Sequence, residues 1–333
     1  MPATLTPTIH RDLHRPGRPL TARERQILND ITRREFIVGG ALAGALVVTG
    51  CGDDDDSSSE GEVEADFPRT VEHVGGSTTI DSKPERIVCI SGEYEFEAMV
   101  ALGAPVVGAN IADRDMNTPW YAELDLAGYG QFGGQNLEAI AELQPDLLIV
   151  PDYGPEGDGR PELEQIAPLV FLPSDFRGQL TTGAFAAGLE ANGLRAIDEL
   201  EALARSFEPA WRPTSIALAN EDIDVVGFYS GESAASSPFE LLGLPKISPQ
   251  VGGYADVSLE LLPEFADDVD LMIGIYVTDQ FEAQPVVQNL PVIREGRYAA
   301  VDPAYQLGFN SPGMLSLPFL IEEIGRVLAE TAP

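Results

Sequence analysis

The stretch LEAIAELQPDLLIV, residues 137–150, decides the fold class of this 333-residue chain. Its first eight residues have the apolar spacing of a helix, Pro145 and Asp146 indicate a turn, and LLIV is typical of a buried strand. A second stretch, SLELLPEFADDVDLMIGI (258–275), repeats the order of a Leu-Glu helix, an aspartate and an apolar strand. Strands that alternate with helices predict a parallel sheet covered by helices, and the repeat predicts two such lobes.

Further short apolar runs occur along both halves of the chain. They are predicted strands: RIVCI (86–90), PVVGANI (105–111), LVFL (169–172), SIALA (215–219), DVVGFY (224–229) and YAAVD (298–302). Between the halves, residues 181–209 form the longest helix-favouring stretch, with apolar residues three or four apart on one face. We therefore predict an α/β fold of two lobes with central, mainly parallel sheets, joined by one long helix.

Composition divides the chain into five segments. Residues 52–67 are rich in Asp, Glu, Ser and Gly and have almost no large apolar groups, which is typical of a solvated tether. The predicted organisation is a signal peptide over 1–50, a cysteine with an acidic tether over 51–68, an N-terminal lobe over 69–180, an inter-lobe helix over 181–211 and a C-terminal lobe over 212–333.

The segment TRREFIVGGALAGALVVTGCG (32–52) has the order of an export signal. Arg33 and Arg34 precede an apolar run of 14 residues, whereas a bilayer core requires a helix of about 20 residues. The arginine pair and the small residues before Cys51 resemble a twin-arginine signal with a lipobox. We expect cleavage before Cys51 and a lipid anchor on it, which would place the protein on the extracytoplasmic face of the cell membrane. A buried glycine-rich helix is the alternative, and both the twin-arginine and the general export route stay open.

Charge and the scarcity of two residue types exclude several function classes. The formal net charge of −34 disfavours nucleic acid and anionic lipid headgroups as partners. Only His73 of the three histidines follows the predicted signal, so a multi-histidine metal site is excluded and a Ser-His-Asp triad would depend on that residue. Cys89 lies in an apolar run and is predicted to be a buried thiol. Because GxxxxGK[ST] and GxSxG motifs are also missing from the sequence, we predict that the chain is not an enzyme.

Five motifs occur in one order along residues 70–330. They are PERIVCI (84–90), ALGAPVVG (101–108), NLEAIAELQPDLLIV (136–150), SLELLPEFADDVDLMI (258–273) and REGRYAAVD (294–302). Together they resemble the extracytoplasmic solute-binding proteins of ABC importers for ferric siderophores, haem and cobalamin. The resemblance implies that the helix between the lobes is rigid, that the ligand lies between the lobes and that no intrinsic cofactor is needed. It also implies an ABC permease and its ATPase as partners of a monomeric binding protein.

Loops at the carboxyl ends of the predicted strands are the expected ligand site, because open parallel sheets bind ligands there. Seven of the nine tyrosines fall in these loops, and their flat, amphipathic rings suit a bulky iron chelate. For each aromatic residue, the alternative is that it only packs in the contact between the lobes. For each arginine, the alternative is a surface ion pair. The expected ligand-binding residues are Tyr94, Arg114, Trp120, Tyr153, Arg177, Tyr229, Tyr254 and Tyr276.

Charge also bears on the ligand class. Only 13 Lys and Arg residues follow position 50, which favours a neutral or cationic hydroxamate complex of iron over a highly anionic catecholate complex. Haem or cobalamin on the same scaffold, an extracytoplasmic enzyme and a surface scaffold lipoprotein are the alternatives. The resemblance further implies one acidic residue on each lobe that docks to permease arginines, and Glu97 and Glu240 are the expected residues. For Glu97, a helix-start glutamate stabilised by the helix dipole is the alternative.

Overall fold

The computed structural model describes residues 66–111, 118–122, 124–134, 136–152, 159–222, 225–231, 233–248 and 254–333. The strands are β1 (Arg69–His73), β2 (Gly76–Ile80), β3 (Ile87–Cys89), β4 (Val106–Ala109), β5 (Gly130–Gln131), β6 (Leu147–Pro151), β7 (Leu169–Leu172), β8 (Ile216–Asp222), β9 (Val225–Tyr229), β10 (Ile247–Ser248), β11 (Tyr254–Ser258), β12 (Leu271–Gly274) and β13 (Tyr298–Ala300). The α-helices are α1 (Tyr94–Ala101), α2 (Leu137–Glu142), α3 (Arg160–Glu164), α4 (Phe176–Ala187), α5 (Glu190–Arg205), α6 (Ser237–Leu241), α7 (Leu262–Ala266), α8 (Asp279–Glu282), α9 (Pro285–Gln288), α10 (Pro291–Arg294), α11 (Gln306–Asn310) and α12 (Leu317–Glu330).

The first sheet is parallel throughout and has the strand order β5-β4-β3-β6-β7. Its central strands β3 and β6 are buried along their whole length, as expected for a sheet with helices on both faces. Cys89 in β3 is buried, which confirms its predicted placement. Burial raises the pKa of the Cys89 thiol well above its ordinary value. The helix-strand reading of 137–150 is confirmed as α2 and β6.

The second sheet has the strand order β11-β9-β8-β12-β13, and β10 pairs with the start of β8. Strands β8, β10, β12 and β13 run parallel, but β9 and β11 are antiparallel to their neighbours. The sheet is therefore mixed but mainly parallel, as predicted, and the sequence did not indicate its antiparallel strands. Only residues 223–224 separate β8 from β9, and so short a connection can join antiparallel strands but not parallel ones.

The segment between the lobes consists of two helices instead of the single helix predicted over 181–209. Helix α4 ends at Ala187, the following Gly188 has a left-handed φ of 67°, and α5 begins at Glu190. The backbone N–H of Leu189 then donates to the Ala184 carbonyl at 2.8 Å. This hydrogen bond requires a left-handed residue at position 188, a conformation that glycine adopts readily and that a side chain would disfavour. Helix α5 buries Leu200 within the core, so the predicted apolar face is confirmed.

A β-hairpin of β1 and β2 precedes the first lobe and was not predicted from the sequence. It is anchored at Arg69, whose guanidinium lies 4.2 Å from the Phe67 ring centroid and 4.6 Å from that of Phe185. The same group forms an ion pair with Glu190 at 2.6 Å. The chain is thus fastened to the junction of α4 and α5 where the described residues begin.

One apolar core extends through helices and strands of both lobes, from Val71 to Leu328. Two smaller clusters cover the outer faces of the two sheets, one in each lobe. Across the described ranges, no helix has the length and apolarity required to cross a membrane. The predicted signal peptide, Cys51 and most of the tether lie outside the described residues.

Candidate ligand site between the lobes

Tyr94 joins three loops at the carboxyl edge of the first sheet. Its hydroxyl donates to Asp152 Oδ1 at 2.8 Å and accepts from the Asp152 backbone N–H at 2.9 Å. The other carboxylate oxygen of Asp152 accepts from the Ser174 backbone N–H at 3.0 Å. These residues follow β3, β6 and β7, so the loops form one continuous wall. Tyr94 itself is fully buried, and it organises this wall from behind.

The opposite wall belongs to the second lobe. Tyr229, the last residue of β9, donates its hydroxyl proton to Asn310 Oδ1 at 2.9 Å. Ser311, which follows Asn310 in the chain, contacts the first lobe, and its hydroxyl donates to Glu93 Oε2 at 2.9 Å. Tyr229 is almost buried. The two lobes are therefore already in direct contact beside the expected ligand loops.

Trp120 lies inside the contact between the lobes. It is buried, and its ring centroid is 6.1 Å from that of Phe319 in α12. A Cβ built on Gly308 would lie 3.0 Å from the Trp120 ring, so the second lobe packs closely on it. Trp120 therefore packs in the contact between the lobes, which is the alternative to ligand binding that the sequence left open.

A cavity of about 750 Å³ lies between the lobes beside α5. Residues 174–177, which follow β7, line it from the first lobe, and nine residues between Gly231 and Lys246 line it from the second. Glu201 and Arg205 of α5 form a third side. Its volume falls in the range of small-molecule sites. Arg177 and Glu240, which were expected on separate grounds, therefore lie on the same cavity.

Three basic side chains of this cavity have acidic partners. Glu201 forms ion pairs with both Arg177 and Arg205, the second at 3.2 Å, and Lys246 lies 3.3 Å from Glu240. Each basic member of these pairs is substantially exposed, so the pairs contribute little to stability. Their consequence is electrostatic: the lining combines positive and negative groups and carries little net charge.

The cavity also presents flat surfaces to a ligand. The Arg177 guanidinium lies 5.3 Å from the Phe176 ring centroid, within the range of a cation–π contact. Helix α4 begins here, and Asp175 caps it by accepting from the Gly178 backbone N–H at 2.8 Å. Because the cap satisfies a helix-start N–H, the loop is held in place without a ligand.

Glu97 is buried, with 2% of its surface exposed, which disagrees with the expected position at a permease-docking surface. Its Oε2 accepts from the backbone N–H groups of Leu315 and Ser316 at 3.0 and 2.9 Å and from Ser316 Oγ at 3.0 Å. Its Oε1 accepts from the Tyr121 hydroxyl at 3.0 Å. Burial raises the pKa of Glu97 to about 7, and these hydrogen bonds oppose that shift. A carboxylate enclosed in this way presents no face to a partner protein.

The other expected residues are placed as follows. Glu240 is about half exposed beside the cavity, so its docking role stays a prediction. Tyr276 follows β12 and is partly exposed. Arg114, Tyr153 and Cys51, and the side chain of Tyr254, lie outside the described residues.

The sequence did not indicate the part of the cavity that α5, Arg212 and Lys246 provide. Arg205 and Glu201 are four residues apart on the polar face of α5, a spacing that the sequence contains but that is also common on solvated helices. Arg212 donates to the Gly243 carbonyl at 3.2 Å. The sequence feature that points to this part is the scarcity of basic residues after position 50. The cavity contains four of those 13 Lys and Arg residues: Arg177, Arg205, Arg212 and Lys246.

Two α/β lobes, a helical connection and a polar cavity between the lobes together define a solute-binding protein. The family model described as "Periplasmic binding protein" matches residues 87–305. The chain belongs to this family, whose members are binding proteins and not enzymes.

Individual relatives extend the match over most of the chain. The Fe(3+)-citrate-binding protein YfmC of Bacillus subtilis is 26% identical over an alignment of 282 residues, which covers 80% of this chain and 88% of YfmC. The probable siderophore-binding lipoprotein YfiY of the same organism is 29% identical over an alignment of 328 residues, which covers 87% of this chain and 96% of YfiY. The match to YfiY spans both lobes.

A solved structure supports the fold independently. PiaA of Streptococcus pneumoniae TIGR4, described as an iron uptake ABC transporter substrate-binding protein, superposes with a TM-score of 0.66 at 23% identity. The superposition covers 79% of this chain and 99% of PiaA. At this identity the similarity establishes the two-lobe α/β fold, which confirms the predicted fold class.

Proposed function

We propose that this chain is a lipid-anchored solute-binding protein that captures a ferric siderophore between its lobes and delivers it to an ABC permease for iron uptake. The observation that carries the proposal is the cavity of about 750 Å³ between the lobes of a chain that belongs to the periplasmic binding protein family. YfmC, YfiY and PiaA are described as binding ferric citrate, binding a siderophore and serving iron uptake, respectively. Iron would enter as cargo within the chelate.

The charge of the cavity supports a chelate of low net charge. Four basic and three acidic side chains line it, and Glu201 and Glu240 form ion pairs with three of the basic groups. The rest of the chain is strongly acidic, with a net charge of −34, and its field repels polyanions. A hydroxamate complex of iron meets both conditions, whereas a catecholate complex with several negative charges meets neither.

Titration of the purified full chain with a panel of chelates tests this proposal. Ferrichrome, ferrioxamine, ferric citrate, a ferric tris-catecholate, haem and cobalamin would be compared by isothermal calorimetry and by quenching of tryptophan fluorescence. We expect the two hydroxamates to bind most tightly. Preferred binding of the catecholate or of ferric citrate would contradict the hydroxamate preference alone. Preferred binding of haem or cobalamin, or no binding at all, would contradict the siderophore function.

The proposed anchor and docking roles require their own tests. A Cys51→Ala variant should leave the membrane fraction on cell fractionation, because the sulfur would carry the acyl chains. Continued membrane retention of that variant would refute the anchor.

Charge reversal at Glu240 should reduce uptake of iron while chelate affinity stays unchanged, since the residue is about half exposed beside the cavity and would meet permease arginines. Unchanged uptake would remove the docking role.

A further inference from the structure

Glu97 connects the two lobes through the start of the last helix. It lies in the first turn of α1 in the first lobe, and α12 of the second lobe begins at Leu317. The N–H groups of Leu315 and Ser316, which precede α12, both donate to Glu97 Oε2. The side chain of Ser316, the N-cap residue of α12, accepts no capping hydrogen bond from the helix. The carboxylate therefore holds, from the other lobe, the turn that leads into α12 by accepting from two of its backbone N–H groups.

The shape of the contact shows how closely the lobes approach. A Cβ built on Gly313 would lie 2.3 Å from Glu97 Oε2 and 2.8 Å from Glu97 Cβ, which is shorter than any normal contact. Only a glycine at this position allows the carboxylate to reach the two N–H groups. Tyr121 closes the other side by donating to Oε1, so all the hydrogen bonds to Glu97 are shielded from water.

Neighbouring contacts locate this junction beside the ligand loops. Glu93, four residues earlier, accepts from Ser311 Oγ, and Trp120 packs against Phe319 on α12. Glu95, which lies between the two glutamates, folds back and accepts from the Gly92 backbone N–H at 2.7 Å. It therefore stabilises its own helix start and does not cross between the lobes.

We propose that Glu97 is a positioning residue that joins the two lobes and thereby sets the separation of the cavity walls that receive the chelate. The part of the inference that concerns ligand affinity rests on the function proposed above. Glu97 does not line the cavity described beside α5, so its effect on affinity would act through the relative position of the lobes. Loss of this contact would add lobe motion that ligand binding must then arrest.

Two disruptive variants and one conservative variant test the junction without any ligand. Trp211→Phe would leave Trp120 as the one tryptophan of the chain, and its quenching by acrylamide would report access to the contact between the lobes. We expect more quenching in Glu97→Ala, which removes the acceptor, and in Gly313→Ala, which introduces a clash. Glu97→Gln should behave like the parent, because its amide oxygen accepts from the two N–H groups while its amide nitrogen donates to Tyr121. Glu142→Ala, at an exposed position of α2, is the control.

Chelate titration of the same variants tests the effect on affinity. We expect Glu97→Ala and Gly313→Ala to bind the preferred chelate roughly tenfold more weakly, with Glu97→Gln and Glu142→Ala close to the parent. Circular dichroism would verify that each variant is folded. If Glu97→Ala does not fold, Gly313→Ala takes its place as the disruptive variant. Unchanged acrylamide quenching in the folded disruptive variants would overturn the junction. Unchanged affinity with increased quenching would overturn the positioning role. If the parent binds no chelate, the proposed function fails, while the quenching comparison still decides whether Glu97 joins the lobes.

Discussion

At the scale of single residues, burial determines what each polar side chain does. Tyr94 and Glu97 were expected to contact a ligand and a permease, but both are enclosed and hydrogen-bonded within the protein. Arg177, in contrast, is more than half exposed and lies on the cavity. The residue types were therefore suited to their expected roles, and only their solvent exposure separates organising residues from contacting ones.

The buried carboxylate of Glu97 predicts a pH dependence of stability. Its pKa is raised to about 7 in the folded protein, mainly by burial, from an ordinary value of 4.5. Between these values the folded state holds a proton that the unfolded state has lost, so the free energy of unfolding falls as pH rises through this window. The slope from one group is at most about 1.4 kcal/mol per pH unit. The pKa of nearby Glu95 is also raised by burial and contributes in the same direction.

Urea unfolding of the parent and of Glu97→Gln, measured between pH 4.5 and pH 7.5, checks this dependence. The glutamine variant lacks the titrating group and should have a shallower slope, with the residual part due to Glu95. The Tyr121 phenol also faces Glu97, but burial raises its pKa well above its ordinary value, so it does not titrate in this window. Equal slopes for the two proteins would mean that Glu97 has an ordinary pKa.

Tyr94→Phe should destabilise the fold although it removes only one oxygen atom. The hydroxyl accepts from the Asp152 backbone N–H and donates to the Asp152 carboxylate, and both partners lose a hydrogen bond. The expected loss is about 1–3 kcal/mol in the free energy of unfolding, measurable by urea titration. Tyr305→Phe, at a partly exposed position, is the matched control. A loss no larger than in the control would show that the loops are held without Tyr94.

At the scale of elements, connections decide where the prediction succeeds. The helix-strand order of the first lobe follows from local apolar spacing and is confirmed by α1, α2, β3, β4, β6 and β7. The β1–β2 hairpin was missed because β2 alternates weakly and has a single buried residue, Ile80. The break between α4 and α5 depends on one glycine in a sequence otherwise favourable to a continuous helix.

Gly188→Ala tests the importance of that break. An alanine would have to adopt the left-handed φ of 67° found at Gly188, which costs about 1 kcal/mol in the free energy of unfolding. Gly128→Ala is the control, because its Cβ would meet only Asp125 at an ordinary distance of 3.7 Å. Equal stability of the two variants would show that α4 and α5 can join differently.

At the scale of the whole molecule, charge distribution distinguishes the cavity from the rest of the chain. The net charge of −34 describes an acidic surface, but four basic side chains converge between the lobes. Their partners on α5 and in the second lobe limit the attraction to anions. The selectivity of the cavity should accordingly depend on the balance between these groups and not on the total charge.

Glu201→Gln should shift chelate preference toward anions. The substitution leaves Arg177 and Arg205 without their shared carboxylate, so affinity for a ferric catecholate should rise several-fold while that for a neutral hydroxamate changes little. The gain should shrink at high ionic strength because salt screens exposed charges. Glu208→Gln, exposed and outside the cavity lining, is the control. An equal change for both chelates would mean that Glu201 acts by shape and not by charge.

The sequence by itself determined the class of fold, the order of most elements and the two-lobe organisation, because apolar periodicity and turn residues act between near neighbours in the chain. The tertiary structure alone decided that Glu97 is buried, that Trp120 lies in the contact between the lobes and that three of the four basic residues of the cavity are paired. These outcomes depend on contacts between distant segments, such as that of Glu97 with Ser316, which are 219 positions apart. A carboxylate near a helix start has the same local sequence whether water or another lobe covers it, and its role follows from that covering.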